Sequence, residues 1–234
     1  PEISSVFGQV LARQCVGVLH EVESPSILEL GAGSGKLAAD ILAELAESGA
    51  LPVSYTILEV SADLRERQET FLHSVVPELA GRVSWLDRLP DEHAGVIVAN
   101  EVLDALPVER FVRRGGDVVQ LCVAVQEGAF VLRERDAPDA LLAAVEALEE
   151  ELGQRLPDGY VTDICVAAPQ WVKDLAGTLA EGAAFLFDYG VSRRDYYAPE
   201  RAGGWLRCHF RHHAHNDPLV LPGIQDITAW VDFT

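Results

Sequence analysis

The sequence predicts an α/β fold: a mostly parallel sheet with helices on both faces, and an antiparallel β-meander and helix inserted between its strands. Three observations carry this expectation. Short apolar runs alternate with helical patterns as far as Ala99, the rhythm of βαβ units. A glycine-rich turn, Gly31-Ala32-Gly33-Ser34-Gly35, follows the first apolar run and opens a helix. Beyond Val108 the apolar period changes, and glycine-bearing turns separate strand-like runs.

In chain order, Val6 to Val22 reads as a helix, because Val6, Val10, Cys15, Val18 and Val22 fall near helical spacing. Ser24-Pro25-Ser26 breaks it. Ile27 to Leu30 is a short strand. Lys36 to Glu47 is a helix with Leu37, Ile41 and Leu45 on one face, closed by Gly49 and Pro52. Ser54 to Val60 is a strand, Leu64 to His73 a helix capped by Ser61, and Arg82 to Leu86 a third strand. Gly95 to Ala99, wholly apolar, reads as a buried parallel strand.

Arg110 to Arg113, Val118 to Val125 and Phe130 to Arg135 are strands joined at Gly115-Gly116-Asp117 and Glu127-Gly128. A helix from Ala137 to Leu152 follows. Residues 108–168 are therefore expected to be an insertion, forming a lid or substrate wall within a single domain spanning 1–234. Pro169 to Ala180 resumes the helical layer, and Ala183 to Phe187 is a fifth core strand ending in Asp188-Tyr189-Gly190. Asp226 to Phe233 reads as the start of a further helix. The chain opens on Pro1, contains no methionine and stops inside that pattern, so it is expected to be a fragment with C-terminal strands missing.

Composition narrows the class. At 234 residues and 49% hydrophobic, the chain can build a sizeable core. No apolar run reaches membrane-spanning length and no secretory leader is visible, so neither membrane insertion nor export is expected. Four scattered cysteines without a CxxC pair fit a reduced, cytoplasmic protein. The net charge of −19 opposes nucleic-acid binding. It suits a basic partner, although acidity also simply aids solubility.

The glycine turn has the spacing GxGxG. Dinucleotide folds use GxGxxG and set a pyrophosphate on the helix dipole. Here the third glycine comes one residue early, and Glu29 stands two residues before the first. S-adenosylmethionine (SAM) has no phosphate but carries a sulfonium and an amino group, which a carboxylate suits. Gly31, Gly33 and Gly35 let the backbone approach such a ligand. Glu59, at the end of the second strand, is placed to accept from both ribose hydroxyls. Asp87, past the third strand, is either an adenine contact or a surface acid, with Trp85 or Leu86 against the ring. Taken alone, the loop is also compatible with a tight turn that binds nothing.

With these residues in view, the chain resembles the MidA-like SAM-dependent methyltransferases, a family related to the mitochondrial arginine methyltransferase that assists complex I assembly. The resemblance rests on Pro1-Glu2-Ile3-Ser4 with Phe7-Gly8, the loop from Glu29 to Gly35, and Glu59-Val60-Ser61 with Leu64, Arg65 and Gln68. It continues through Asn100-Glu101-Val102-Leu103-Asp104-Ala105-Leu106-Pro107, Asp188-Tyr189-Gly190, and His215 to Pro218 with Gly223 and Asp226-Ile227-Thr228. The Asn-Glu-x-x-Asp-Ala-x-Pro element is the most specific part. The resemblance implies a class I methyltransferase (Rossmann-like) fold, SAM as cofactor and a protein arginine as methyl acceptor. Trp205-Leu206 departs from the Thr-Leu common in the family.

An arginine acceptor needs carboxylates that grip a guanidinium in bidentate fashion. Glu101 and Asp104 fit that task, with Asn100 orienting them or the cofactor amine; the alternative is that they cap a helix or tie the loop down. Tyr189 is placed to wall an acceptor channel or to close a strand-end turn. His215 is a candidate substrate contact. His209, His212, His213 and His215 lack the spacing of a metal site, so no metal is expected; packing within a helix or loop is their ordinary role. Arg193, Arg194 and Arg211 are either solvated or paired with the abundant acids.

The leading expectation is thus methyl transfer from SAM to a protein with an accessible arginine, such as a respiratory complex I subunit. The partners exclude nucleic acid, and a homodimer is left open. The competing expectation is a non-catalytic SAM-binding assembly factor for a respiratory complex. An NAD-dependent oxidoreductase fits neither the glycine spacing nor Glu29.

Overall fold

A computed structural model describes residues 3–211 and 213–234. The first half alternates as α1 (Val6–Glu21), β1 (Ser26–Leu30), α2 (Lys36–Glu47), β2 (Ser54–Leu58), α3 (Ala62–Val75), α4 (Pro77–Ala80), β3 (Val83–Leu86) and β4 (His93–Asn100). The chain then runs through β5 (Glu109–Arg114), β6 (Asp117–Gln126), β7 (Ala129–Asp136), α5 (Asp139–Leu152) and β8 (Val161–Ile164). It continues with α6 (Ala168–Thr178), β9 (Leu179–Phe187), β10 (Gly190–Val191), α7 (Arg193–Tyr196) and a 3-10 turn at Pro199–Arg201. Four strands close it: β11 (Leu206–Phe210), β12 (His213–His215), β13 (Asp226–Ala229) and β14 (Val231–Asp232). None of the described helices is long and apolar enough to cross a membrane.

Two compact units result. The first comprises the chain up to Val102 together with Trp171–Phe187. Its sheet has five strands in the order β3-β2-β1-β4-β9, all parallel. Side chains alternate along β1 in the way a two-sided sheet requires. Ile27 joins a core with Leu11, Cys15, Ile41, Leu42 and Leu45 from α1 and α2. Leu28 and Leu30 face the other way, with Ile97, Ala99 and Leu175 of α6. The strand order reverses between β1 and β4, where open α/β sheets bind ligands at their carboxyl ends.

The second unit comprises Leu103–Gln170 with Asp188–Thr234. The meander expected within 108–168 is a four-stranded antiparallel sheet, β7-β6-β5-β8. Leu141, Val145 and Leu148 of α5 pack with Phe111, Tyr160, Tyr196, Tyr197 and Trp205. Trp205, the departure from the family pattern, is buried and stacks on Trp230 with ring centroids 4.4 Å apart. Arg113 and Glu149 form a buried pair, Arg113 Nε donating at 2.9 Å, and Glu149 also accepts from the Leu156 amide.

Residues 226–233 are not a helix. Asp226–Ala229 pairs antiparallel with β11, and Val231-Asp232 pairs parallel with β10. Ile227, Thr228 and Val231 are β-branched, and sheet partners elsewhere in the chain outweigh the weak local helical pattern. The histidine-rich stretch likewise forms strands rather than a helix or loop, with His209 on β11 and His213 and His215 on β12. His212 lies outside the described residues. Arg193 is paired rather than solvated, bonding Asp232 at 2.7 Å and also Glu151.

Candidate active site

The carboxyl edge of the five-stranded sheet gathers the expected cofactor residues. Gly31, Gly33 and Gly35 leave β1 with φ of 63°, 55° and 85°, a region L-residues rarely adopt. This left-handed run turns the chain sharply enough for α2 to begin at Lys36, with Gly35 as its cap and Ser34 Oγ accepting from the Lys36 amide at 3.2 Å. A Cβ at Gly33 would meet nothing within 4 Å, so the loop opens onto free space there. At Gly31 a Cβ would press on Val102 just past β4, at 3.2 Å.

Glu29 sits on β1, two residues before Gly31, and is only 2% exposed. Tyr55 Oη donates to its Oε2 at 2.8 Å. Burial pushes the Glu29 carboxyl up to about 7, only partly offset by the Tyr55 bond. Burial and the adjacent Glu29 raise the Tyr55 phenol well above its ordinary value.

Glu59 follows β2 and is buried at 8% exposure. Its Oε1 accepts from the Ser61 amide at 2.9 Å and its Oε2 from Gln68 Nε2 at 3.3 Å. An ionised carboxylate offers about four acceptor positions, two per oxygen. These protein bonds engage each oxygen once, leaving one position on each. That remainder matches a vicinal diol, which presents two O–H donors, so the donor set fits a ribose. Arg65 Nε donates to the Glu59 carbonyl at 2.6 Å and holds the strand end in place.

Gln68 is the residue that sequence reasoning did not assign a role. It sits on α3, fully buried, between the partly buried Leu64 and the buried Leu72 at four-residue spacing. Its Nε2 also donates to the Gly33 carbonyl at 3.0 Å, and its Oε1 accepts from Trp85 Nε1 at 2.8 Å. A polar residue within an otherwise apolar helical stripe was the available signal. Asp87 directly follows β3 and is exposed.

Asn100 ends β4, and Glu101 follows it with φ of 52°, the left-handed region. The Glu101 amide donates to the Phe187 carbonyl at 2.9 Å, and its side chain is exposed. Because β4 pairs with β1 in register Ala99 to Leu30, Asn100 and Glu101 lie beside the glycine loop.

Asp104, Tyr189 and His215 belong to the second unit. Asp104 is buried, its amide bonded by Asp188 Oδ2 at 3.1 Å and its carbonyl by the Ala229 amide at 2.9 Å. The same Asp188 oxygen accepts from the Leu103 amide at 2.8 Å, so Asp188 fixes this loop. Tyr189 is 58% exposed. His215 Nδ1 accepts from the Asp217 amide at 3.3 Å. The structure therefore gathers Glu29, the three glycines, Glu59, Asp87, Asn100 and Glu101 on one sheet edge, and places the other three candidates in the second unit.

A family model described as "Putative S-adenosyl-L-methionine-dependent methyltransferase" matches residues 10–234. A Burkholderia thailandensis protein described as a "likely methyl transferase", crystallised with S-adenosyl-homocysteine, is 43% identical with a TM-score of 0.91. That match covers 100% of this chain and 59% of the other. The mitochondrial protein arginine methyltransferase NDUFAF7 of Danio rerio is 28% identical, over 100% of this chain and 59% of the relative. Its Drosophila melanogaster homologue is 30% identical, over 100% and 57%. The chain thus spans just under three-fifths of the length of these relatives. It belongs to the MidA-like family of SAM-dependent methyltransferases, and its cofactor is S-adenosylmethionine.

Proposed function

We propose that the protein methylates an arginine side chain of another protein, with a subunit of respiratory complex I as the candidate acceptor. The observation that carries this reading is Glu101. It is an exposed acid held in a strained backbone conformation at the carboxyl end of β4, beside the glycine loop. Unfavourable φ values of this kind persist where the surrounding structure enforces them, and they cluster at functional sites. The names of the relatives support an arginine acceptor, and the net charge of −19 suits a basic partner.

Bound SAM supplies an activated methyl group on a sulfonium sulfur. Glu59 accepts from the ribose hydroxyls, and the loop from Gly31 to Gly35 admits the cofactor close to the backbone. Glu101 accepts two N–H bonds from the guanidinium, which orients one nitrogen toward the methyl carbon. The C–N bond forms as the C–S bond breaks, and the nitrogen then loses its extra proton to the carboxylate or to water. The reaction needs in-line placement more than a strong base.

The test incubates the full-length protein and methyl-labelled SAM with lysate from cells lacking it, followed by amino-acid analysis of labelled protein. Label recovered as methylarginine, and lost with Glu101→Ala, is the expected result. Label on another residue type refutes the arginine assignment. Tight cofactor binding without any label favours a non-catalytic SAM-binding assembly factor.

A further inference from the structure

We infer that Gln68 is a positioning residue for the adenosine half of the cofactor, its single amide joining the glycine loop, Glu59 and Trp85 into one preformed wall. This rests on the reading that the sheet edge binds SAM. Three separate segments meet at this side chain. The Gly33 carbonyl comes from the loop after β1, the Glu59 carboxylate from the end of β2, and the Trp85 indole from β3. Gly35 packs on its stem, since a Cβ there would lie 3.5–3.6 Å from Gln68 Cα, Cβ and Cγ.

Glutamine is suited to this position. Its amide offers two donor hydrogens and one acceptor oxygen. Both donors are used, on Gly33 and Glu59, and the oxygen takes the Trp85 N–H. Lysine would bring donors but no acceptor for Trp85. Glutamate would set a second carboxylate against Glu59 and the Gly33 carbonyl. The bond to Glu59 is the informative one. It occupies one position on Oε2 and directs the remaining one outward, while Ser61 does the same for Oε1. The bond to Trp85 fixes the indole plane at the end of β3. Gln68 thus acts on the ribose through Glu59 and on the adenine side through Trp85, without touching either.

The test measures binding of S-adenosyl-homocysteine (SAH) and of 5′-methylthioadenosine, which lacks the amino-acid tail, by calorimetry on the full-length protein. Gln68→Leu is expected to weaken both ligands by about tenfold or more, because all three partners of the buried amide lose their bonds. A similar factor for both ligands places the loss on the adenosine half. Gln68→Glu preserves the shape if the leucine variant fails to fold. Its SAH affinity is expected to be low at pH 8 and to recover toward pH 5, as the introduced carboxyl takes up a proton and regains a donor. SAH binding within twofold of wild type in Gln68→Leu overturns the assignment. So does a loss confined to SAH, or a Gln68→Glu profile parallel to wild type. A wild-type protein that binds no SAH instead overturns the cofactor reading itself.

Discussion

Replacing Glu101 by glycine should make the protein more stable and less active at once. Glu101 sits at φ 52°, where an L-residue costs about 1–2 kcal/mol through its Cβ. Glycine removes that cost but adds about 0.5–1 kcal/mol of unfolded-state entropy. The exposed carboxylate has no hydrogen-bond or ion-pair partner among the described residues, so its removal breaks no fold contact. The net gain is therefore about 0.5–1 kcal/mol, or roughly 2 °C in melting temperature for a chain of this size. Alanine keeps the Cβ and with it the strain, so Glu101→Ala should leave stability nearly unchanged.

Activity should separate from stability in this pair. Two charge-assisted hydrogen bonds to a guanidinium are together worth about 3–5 kcal/mol, so both variants should lose turnover by about 100-fold or more. SAH binding should stay within a few-fold, because the role proposed for the carboxylate is on the acceptor and not on the cofactor. Denaturant unfolding, calorimetric SAH titration and single-turnover methylation read the three quantities. Two outcomes would refute the reasoning. A glycine variant less stable than the alanine variant would mean that φ is not the source of the strain. Turnover within threefold of wild type in both would mean that the carboxylate is not the acceptor grip.

Three further outcomes follow from the same geometry. Glu59→Ala should weaken SAH by about 100-fold, against a few-fold for Glu101→Ala; calorimetry showing the reverse order would mean that cofactor and acceptor acids have been interchanged. Glu29 is pushed by burial from 4.5 up to about 7, so the folded protein keeps a proton there that the unfolded chain loses. Its contribution is full below pH 4.5 and is lost as pH rises through about 7, so the stability difference between wild type and Glu29→Gln should shift by roughly 3 kcal/mol between pH 4 and 8; a flat difference in denaturant unfolding would count against it. Arg113→Ala leaves Glu149 buried without its charge partner and should cost about 3–5 kcal/mol, with no compensating gain from high salt, because the pair is shielded from solvent.

The parallel half of the fold was readable because each element carried its own signal. The glycine turn set the end of β1, and the four-residue spacing of Leu37, Ile41 and Leu45 gave α2 its extent. Ser61 was legible as a cap, and its Oγ accepts from the Leu64 amide at 3.3 Å. The C-terminal segment failed for the opposite reason. Residues 226–232 gain their structure from β11 and β10, partners about 20–40 residues away that no local window contains. The make-up of the second unit has no local signal either, because it is assembled from two stretches separated by Trp171–Phe187.

The site shows the same distinction between residue type and residue role. Glu59 and Glu101 were recognisable as acids at strand ends, a local position with a general meaning. Gln68 entered the sequence reading only as part of the family resemblance, without a role, although it falls between Leu64 and Leu72 at four-residue spacing. Its role required the simultaneous positions of three other segments. The structure also changes what Glu29 means. From the sequence it is a charge facing a cationic ligand. In the fold it is a buried carboxyl that receives the Tyr55 O–H and that burial pushes up to about 7. A cationic group approaching that carboxyl would favour its ionised form and release a proton. If the cofactor's amino group lies near Glu29, SAM uptake between pH 6 and 8 must therefore be coupled to proton release. Calorimetry in buffers of different ionisation enthalpy measures that coupling directly, and a binding enthalpy independent of buffer would place the cofactor's positive charge away from Glu29.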